Sequence, residues 1–196
     1  METKLYFLIL IFCVGITSCS KEKDNLQLTD NSANLLSLPN LIQNSEFEIN
    51  GQSSFQYWNY TYGPCCLDTF SADVPTGGGG YSLHLEPMWV PATGSVETYI
   101  TGLNSNNIFR LKFNGKMINS LSAEASASIY LKSVLGTSTI WTLNFNNTQW
   151  TQYILLTNPI QLVSSDTLVV KLSAGSTEVA TWSTLFDNIE LVQIPN

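Results

Sequence analysis

Histidine, cysteine and basic residues are all scarce in this chain. Its 196 residues include 8 Lys and Arg, 1 His and 4 Cys, and only 12% are charged. Beyond Lys23 the basic residues are Arg110, Lys112, Lys116, Lys132 and Lys171, with no stripe to neutralise phosphates, so no nucleic acid is expected as a partner. The single histidine, His84, has no Gly-x-Ser-x-Gly elbow to serve, which removes the usual Ser-His-Asp arrangement. Acidic residues outnumber basic ones, yet no spacing singles out the carboxylate pair of a glycosidase. With one histidine, a zinc site is not expected either. Sustained helical periodicity and internal repeats are absent, and the one long apolar run lies at the N-terminus.

That run extends from Leu5 to Ile16, behind the positive charge of Lys4. A bilayer span needs about 20 apolar residues, so the run suits a signal-peptide h-region better than a membrane helix. It closes on Ile16-Thr17-Ser18-Cys19, which resembles the lipobox of bacterial lipoproteins. The resemblance implies cleavage before Cys19, lipid on that cysteine, and a membrane partner through the anchor. The following Ser20-Lys21-Glu22-Lys23-Asp24 resembles the export signal of Bacteroidota lipoproteins, implying an outer-membrane protein at the cell surface. Residues 1–18 therefore read as signal peptide, 19–40 as a polar lipidated tether, and 41–196 as one domain.

From Leu41 onward the pattern has period two. Phe109, Leu111 and Phe113 alternate with Arg110, Lys112 and Asn114; Ala127, Ile129 and Leu131, Trp141, Leu143 and Phe145, and Leu168, Val170 and Leu172 do the same. Turn residues separate the runs, as at Asn50-Gly51, Gly136-Thr137 and Ala174-Gly175. This predicts an all-β domain of roughly ten strands in two antiparallel sheets packed face to face. The Gly77 to Gly80 run reads as a mobile hairpin connection.

Leu41 to Glu48, Ser54-Phe55-Gln56-Tyr57-Trp58, and Leu185 to Val192 resemble the terminal segments of carbohydrate-binding modules with a galactose-binding-like jelly roll. Gly80 to Leu85 and Thr148 to Tyr153 resemble that family's middle strands. Ser45 and Tyr57 stand where the family has glycine, and the Cys65-Cys66 region is a further departure. The resemblance implies a non-catalytic domain that binds a polysaccharide or other glycan, and a structural Ca²⁺ with Glu48 as ligand. Asp187 shares parity with Leu185, Ile189 and Leu191, so it is expected to turn inward, where a carboxylate needs a cation or a partner. Capping of a turn by Asp187 is the alternative.

Trp58 and Trp150 match core tryptophans of the family, and Trp141 alternates with core residues, so all three are expected in packing. Trp89 and Trp182 fall on irregular segments, and Tyr60 and Tyr62 precede the Pro64-Cys65-Cys66 corner. These four aromatics are the candidate ligand-binding residues, with plugging of the sandwich ends as the alternative. Cys65 and Cys66 are left as an adjacent pair once Cys13 and Cys19 are accounted for, and either a vicinal disulfide or two buried thiols satisfies them. A surface protein using the jelly roll as a scaffold for protein contacts is the second functional expectation.

Overall fold

The period-two pattern becomes two facing sheets in the computed structural model, which describes residues 38–61, 66–87, 92–103, 105–118, 123–176 and 183–195. The strands are β1 (Glu48–Ile49), β2 (Gln52–Ser53), β3 (Asn59–Thr61), β4 (Cys66–Ser71), β5 (Ser82–Pro87), β6 (Ala92–Ile100) and β7 (Ser105–Met117). They continue with β8 (Ala123–Ser133), β9 (Gly136–Phe145), β10 (Thr151–Leu156), β11 (Ile160–Leu162), β12 (Thr167–Ser176) and β13 (Thr184–Pro195). No helix occurs among the described residues.

One sheet has the order β10-β7-β13-β5-β4, with β11 sharing the β10 side of β7, and the other has the order β3-β6-β12-β8-β9. All the pairings are antiparallel. This is the expected sandwich. Its inner layer is the predicted set: Phe109, Leu111 and Phe113 from β7 face Ala127, Ile129, Leu168, Val170 and Leu172, all buried. Phe113 stacks on Tyr153 at 5.1 Å, and Phe145 stands edge-on to Phe186 at 5.5 Å. A Cβ on Gly115 would fall 2.7 Å from the Phe145 ring, so glycine is required there for the two sheets to close.

The N-terminal segment is fastened to this frame. The Asn40 amide donates to the Ile189 carbonyl, and its Oδ1 accepts the Ile42 and Leu191 N–H groups. Asn44 fixes the next loop by donating to the carbonyls of Ser54 at 2.7 Å and Gln56 at 3.0 Å. Trp58 is buried as expected, its indole N–H donating to the Asn44 carbonyl. Trp141 packs half-buried against the core. Trp150 departs from expectation: it lies half-buried beside the start of edge strand β10, donating to Asp73 Oδ1 at 2.8 Å, and Asp73 also pairs with Lys116.

Candidate functional site

Asp187 reaches its buried position through an irregularity in β13 rather than by simple alternation. In the register of β13, Phe186 lies opposite Gly115 and Asp187 opposite Asn114, and the pairing shifts before Glu190 meets Lys112. Asn188 makes that irregularity with a φ of 53°. Phe186, Ile189 and Leu191 therefore belong to the core cluster, while Leu185 and Asp187 share the outer face with Lys116 and Asn114. The expectation that Asp187 points into the core with Leu185 is thus corrected. It is nonetheless fully buried, because the 75–80 loop covers it.

That loop is built around two carboxylates. A Cβ on Gly78 would lie 2.5 Å from Asp187 Oδ2, and one on Gly79 would lie 2.8 Å from Glu48 Oε2. Glycines at these positions let the backbone close over the acids. Gly80 donates its N–H to Glu48 Oε2, and Gly78 donates to the Pro75 carbonyl, so the run is a packed cover rather than the mobile connection expected. Asp187 Oδ1 accepts the Asn188 N–H at 2.8 Å, and Oδ2 is buried with no protein partner. Burial pushes the Asp187 carboxyl up to about 7 against the Asn188 hydrogen bond, and the charges of Glu46 and Glu48 add to the rise. An unpartnered buried carboxylate oxygen beside a second carboxylate, under a cradle of backbone, has the hard-oxygen chemistry of a calcium site. Among the described residues no group of three Asp, Glu, His or Cys side chains forms a metal cluster, so backbone carbonyls or water would complete the coordination.

The outer face of the five-stranded sheet is polar. In register across it, Asn59 lies beside Glu97, then Lys171, Ser128 and Thr142. Glu97 is gripped from both sides, by Lys171 at 3.5 Å and Lys132 at 3.6 Å, and it accepts the Tyr99 hydroxyl at 2.7 Å. Burial opposes its ionisation, but the Tyr99 hydrogen bond and the two ammonium groups outweigh that and hold the carboxyl below its ordinary range. Lys132 lies 4.5 Å from the centre of the Tyr99 ring. In the adjoining row Tyr99 and Tyr130 flank Val169, which is 1% exposed although it faces outward.

A pocket of 250 Å³ opens at the edge of this face, lined by Leu41, Gln43, Tyr57, Asn59, Thr98 and Tyr99. It exists because β3 pairs with β6 only as far as Asn59 and Glu97, leaving Thr98 and Tyr99 beyond its end. Tyr57 is 51% exposed and Tyr99 41%. Tyr57 also has a φ of 72°, a left-handed conformation that costs a residue with a Cβ roughly 1–2 kcal/mol. The strain is held by its surroundings: Asn44 bonds the carbonyl of Gln56 on one side, and buried Trp58 anchors the other. Strained, exposed side chains of this kind concentrate at binding sites.

Two other concavities differ in character. A 530 Å³ groove beside the Glu48–Asp187 corner is lined by Arg110 and Lys112, which share Glu190, and by Asn114 and Gln152, with no aromatic side chain. A 430 Å³ cleft between β9 and the β10–β11 segment contains Trp141, Leu156, Asn158 and Gln161.

Of the residues expected to bind ligand, Tyr60 lies in β3 with its ring 5.3 Å from Phe55 and is 42% exposed. Tyr62, Trp89, Trp182, Cys19 and Cys65 lie outside the described residues, and with Cys65 goes the vicinal disulfide. Cys66 opens β4 opposite Pro87, the last residue of β5. The Tyr57–Tyr99 pocket was not anticipated as a site. One signal pointed to it: Tyr57 occupies a position where the resembled family has glycine. His84 Nδ1 bonds the Thr69 hydroxyl at 3.0 Å, and burial lowers its pKa against the pull of Glu86.

Comparison with known protein families and with characterised sequences gives no match. Comparison with solved structures does. The enzymatically active domain of bacteriophage CBA120 tailspike protein 4 aligns with a TM-score of 0.60 at 18% identity, over 79% of this chain and 21% of that one. The carbohydrate-binding module TmCBM61, in complex with β-1,4-galactotriose, aligns at 0.55 and 13% identity over 80% of this chain and 99% of the module. The CBM22-1 xylan-binding domain of Paenibacillus barcinonensis Xyn10C aligns at 0.53 and 12% identity over 81% and 97%. The chain thus spans about a fifth of the tailspike domain and nearly all of each module. The fold is the jelly-roll β-sandwich of carbohydrate-binding modules.

Proposed function

We propose that this domain binds a glycan without turning it over, using the Tyr57–Tyr99 pocket and the polar sheet face beside it. The observation that carries the reading is Tyr57, an exposed aromatic held in a strained conformation at the pocket wall. Its ring and that of Tyr99 offer flat faces for sugar C–H surfaces, and Asn59 and Gln43 offer amides for hydroxyls. The volume is below the roughly 300–1,000 Å³ of typical small-molecule pockets, which suits a single ring or a chain end. The fold shared with modules solved as glycan binders supports the same reading.

Glu48 and Asp187 would hold Ca²⁺, whose charge would offset the buried carboxylate and fix the 75–80 loop to β1 and β13. Cleavage before Cys19 and lipidation there would tether the domain to the outer membrane, facing outward. In that place a binding module retains polymer near the cell.

A second reading, a scaffold for protein contacts, is favoured by the β8–β9 turn, where Val134 is 85% and Leu135 95% exposed. Affinity electrophoresis on a polysaccharide panel separates the two. Retardation lost on Tyr57→Ala and Tyr99→Ala, but kept on Trp141→Ala and on Val134→Ser/Leu135→Ser, supports glycan binding. No retardation on any polysaccharide removes it.

A further inference from the structure

We propose that the glycan is acidic, carrying carboxylate or sulfate groups that meet Lys132 and Lys171; this rests on the glycan-binding reading above. The chain as a whole has a net charge of -7, so an acidic polymer is at first sight an unwelcome partner. The sheet face next to the pocket has the opposite sign. Two ammonium groups stand on it, and the one carboxylate between them, Glu97, is contacted by both. One carboxylate neutralises one ammonium, which leaves a positive charge on the face.

Among the described residues, the rest of the register supplies no compensation there. Asn59, Ser128 and Thr142 continue the Glu97–Lys171 row, and Ser95, Ser173, Ser126 and Asn144 form the row beside it. Glu124 pairs with Gly175, four residues along β8 from the Ser128 that pairs with Lys171. At about 3.3 Å per residue that is roughly 13 Å of strand. Asp166, next to the Thr167 that pairs with Lys132, is buried in its own turn, where it accepts the Val163 N–H at 3.0 Å.

The positive charge is also placed for a sugar rather than for any anion. Tyr99 is both a wall of the pocket and the ring beside which Lys132 sits, so a sugar against Tyr99 is one side chain from the ammonium group. Lys171 is two strands from Asn59, about 10 Å across the sheet, where a neighbouring sugar of the same chain would lie. The cations are lysines, compact point charges without a planar fork, so they select negative charge without choosing between carboxylate and sulfate.

The test uses the full chain in detergent, with polygalacturonate and dextran sulfate against neutral galactan and dextran, and polyglutamate as a sugar-free polyanion. Acidic polysaccharide is expected to bind about tenfold tighter than its neutral counterpart at low salt, as one charge-assisted contact would give. The advantage should vanish near 1 M salt, where the screening length is about 3 Å. Lys132→Gln/Lys171→Gln, or the Met pair if the Gln pair melts early, should reduce acidic binding to the neutral level. Lys116→Gln, on the other sheet, should leave it unchanged. Equal affinity for acidic and neutral polymers overturns the acidic class and leaves glycan binding standing. Polyglutamate binding as tightly as polygalacturonate overturns the sugar component. Failure of every polysaccharide to bind overturns the glycan reading and this proposal with it.

Discussion

Removing calcium should destabilise the protein strongly in mild alkali and little in acid, and Asp187 sets both the sign and the size. Its carboxyl titrates near 7 in the metal-free fold against an ordinary value of 3.8. Between those values the folded chain keeps a proton that the unfolded chain releases. The stability that protonated Asp187 contributes to the metal-free protein is therefore fully present below about pH 4 and is lost as pH rises through about 7. At 1.36 kcal/mol per unit, the displacement corresponds to about 4 kcal/mol of lost stability at alkaline pH.

A bound cation would reverse this. At a hundred times its dissociation constant, calcium adds about 2.7 kcal/mol by mass action. A domain of this size gains roughly 2–4 °C in Tm per kcal/mol, so chelation near pH 8 should lower Tm by about 5–10 °C. Near pH 5 the ion must first displace the Asp187 proton, which weakens binding about a hundredfold and shrinks the chelator effect towards zero. Scanning calorimetry with EDTA or excess calcium at both pH values measures it. Asp187→Asn, which cannot ionise, should melt above the chelated wild type near pH 8 and ignore calcium. A Tm near pH 8 that does not respond to chelator, or an Asn variant that still responds to calcium, would exclude a calcium site at Asp187.

Tyr57→Gly should stabilise the fold while impairing it as a binder. Release of the left-handed strain returns about 1–2 kcal/mol and the glycine entropy takes back about 0.5–1, so thermal melting should show a rise of up to a few degrees as polysaccharide retardation falls. Gly79→Ala places a methyl 2.8 Å from Glu48 Oε2, and the flexible carboxylate must move away. Its cost in stability without metal should be about 1 kcal/mol or less, but the calcium-induced rise in Tm should disappear. Phe113→Ala empties the ring cluster with Tyr153, Phe145 and Phe186, and should cost about 3–5 kcal/mol in denaturant unfolding.

The framework was legible because each long strand buries one side, and the alternation of Phe109, Leu111 and Phe113 shows that directly. Parity failed on β13, where one left-handed residue, Asn188, turns the strand over between Asp187 and Glu190. Asparagine tolerates that conformation, but only the pairing with β7 reveals that the irregularity is used. The glycine run looked mobile because its partners are distant in sequence: Glu48 lies thirty-two residues from Gly80, and Asp187 more than a hundred from Gly78. Trp150 looked like core because it matches a core tryptophan of the resembled family, although it stands just outside an edge strand.

The pocket was the hardest feature to foresee. Tyr57 and Tyr99 are far apart in the chain and become neighbours only because β3 ends early. Tyrosine in place of glycine before Trp58 was visible, and its meaning depended on the backbone conformation at that position. The paired lysines were equally visible as residues. Their shared carboxylate follows from Glu97 lying opposite Lys171 while Lys132 reaches across from β8.

Calorimetric titration of the full chain with polysaccharide, wild type against Tyr57→Ala/Tyr99→Ala, decides whether the Tyr57–Tyr99 pocket binds glycan. Loss of two stacking faces worth about 0.5–1.5 kcal/mol each predicts saturable binding that weakens roughly tenfold or more with the fold intact. Wild-type protein that binds no polysaccharide would exclude glycan binding, and a double variant that binds as tightly as wild type would exclude this pocket as its site.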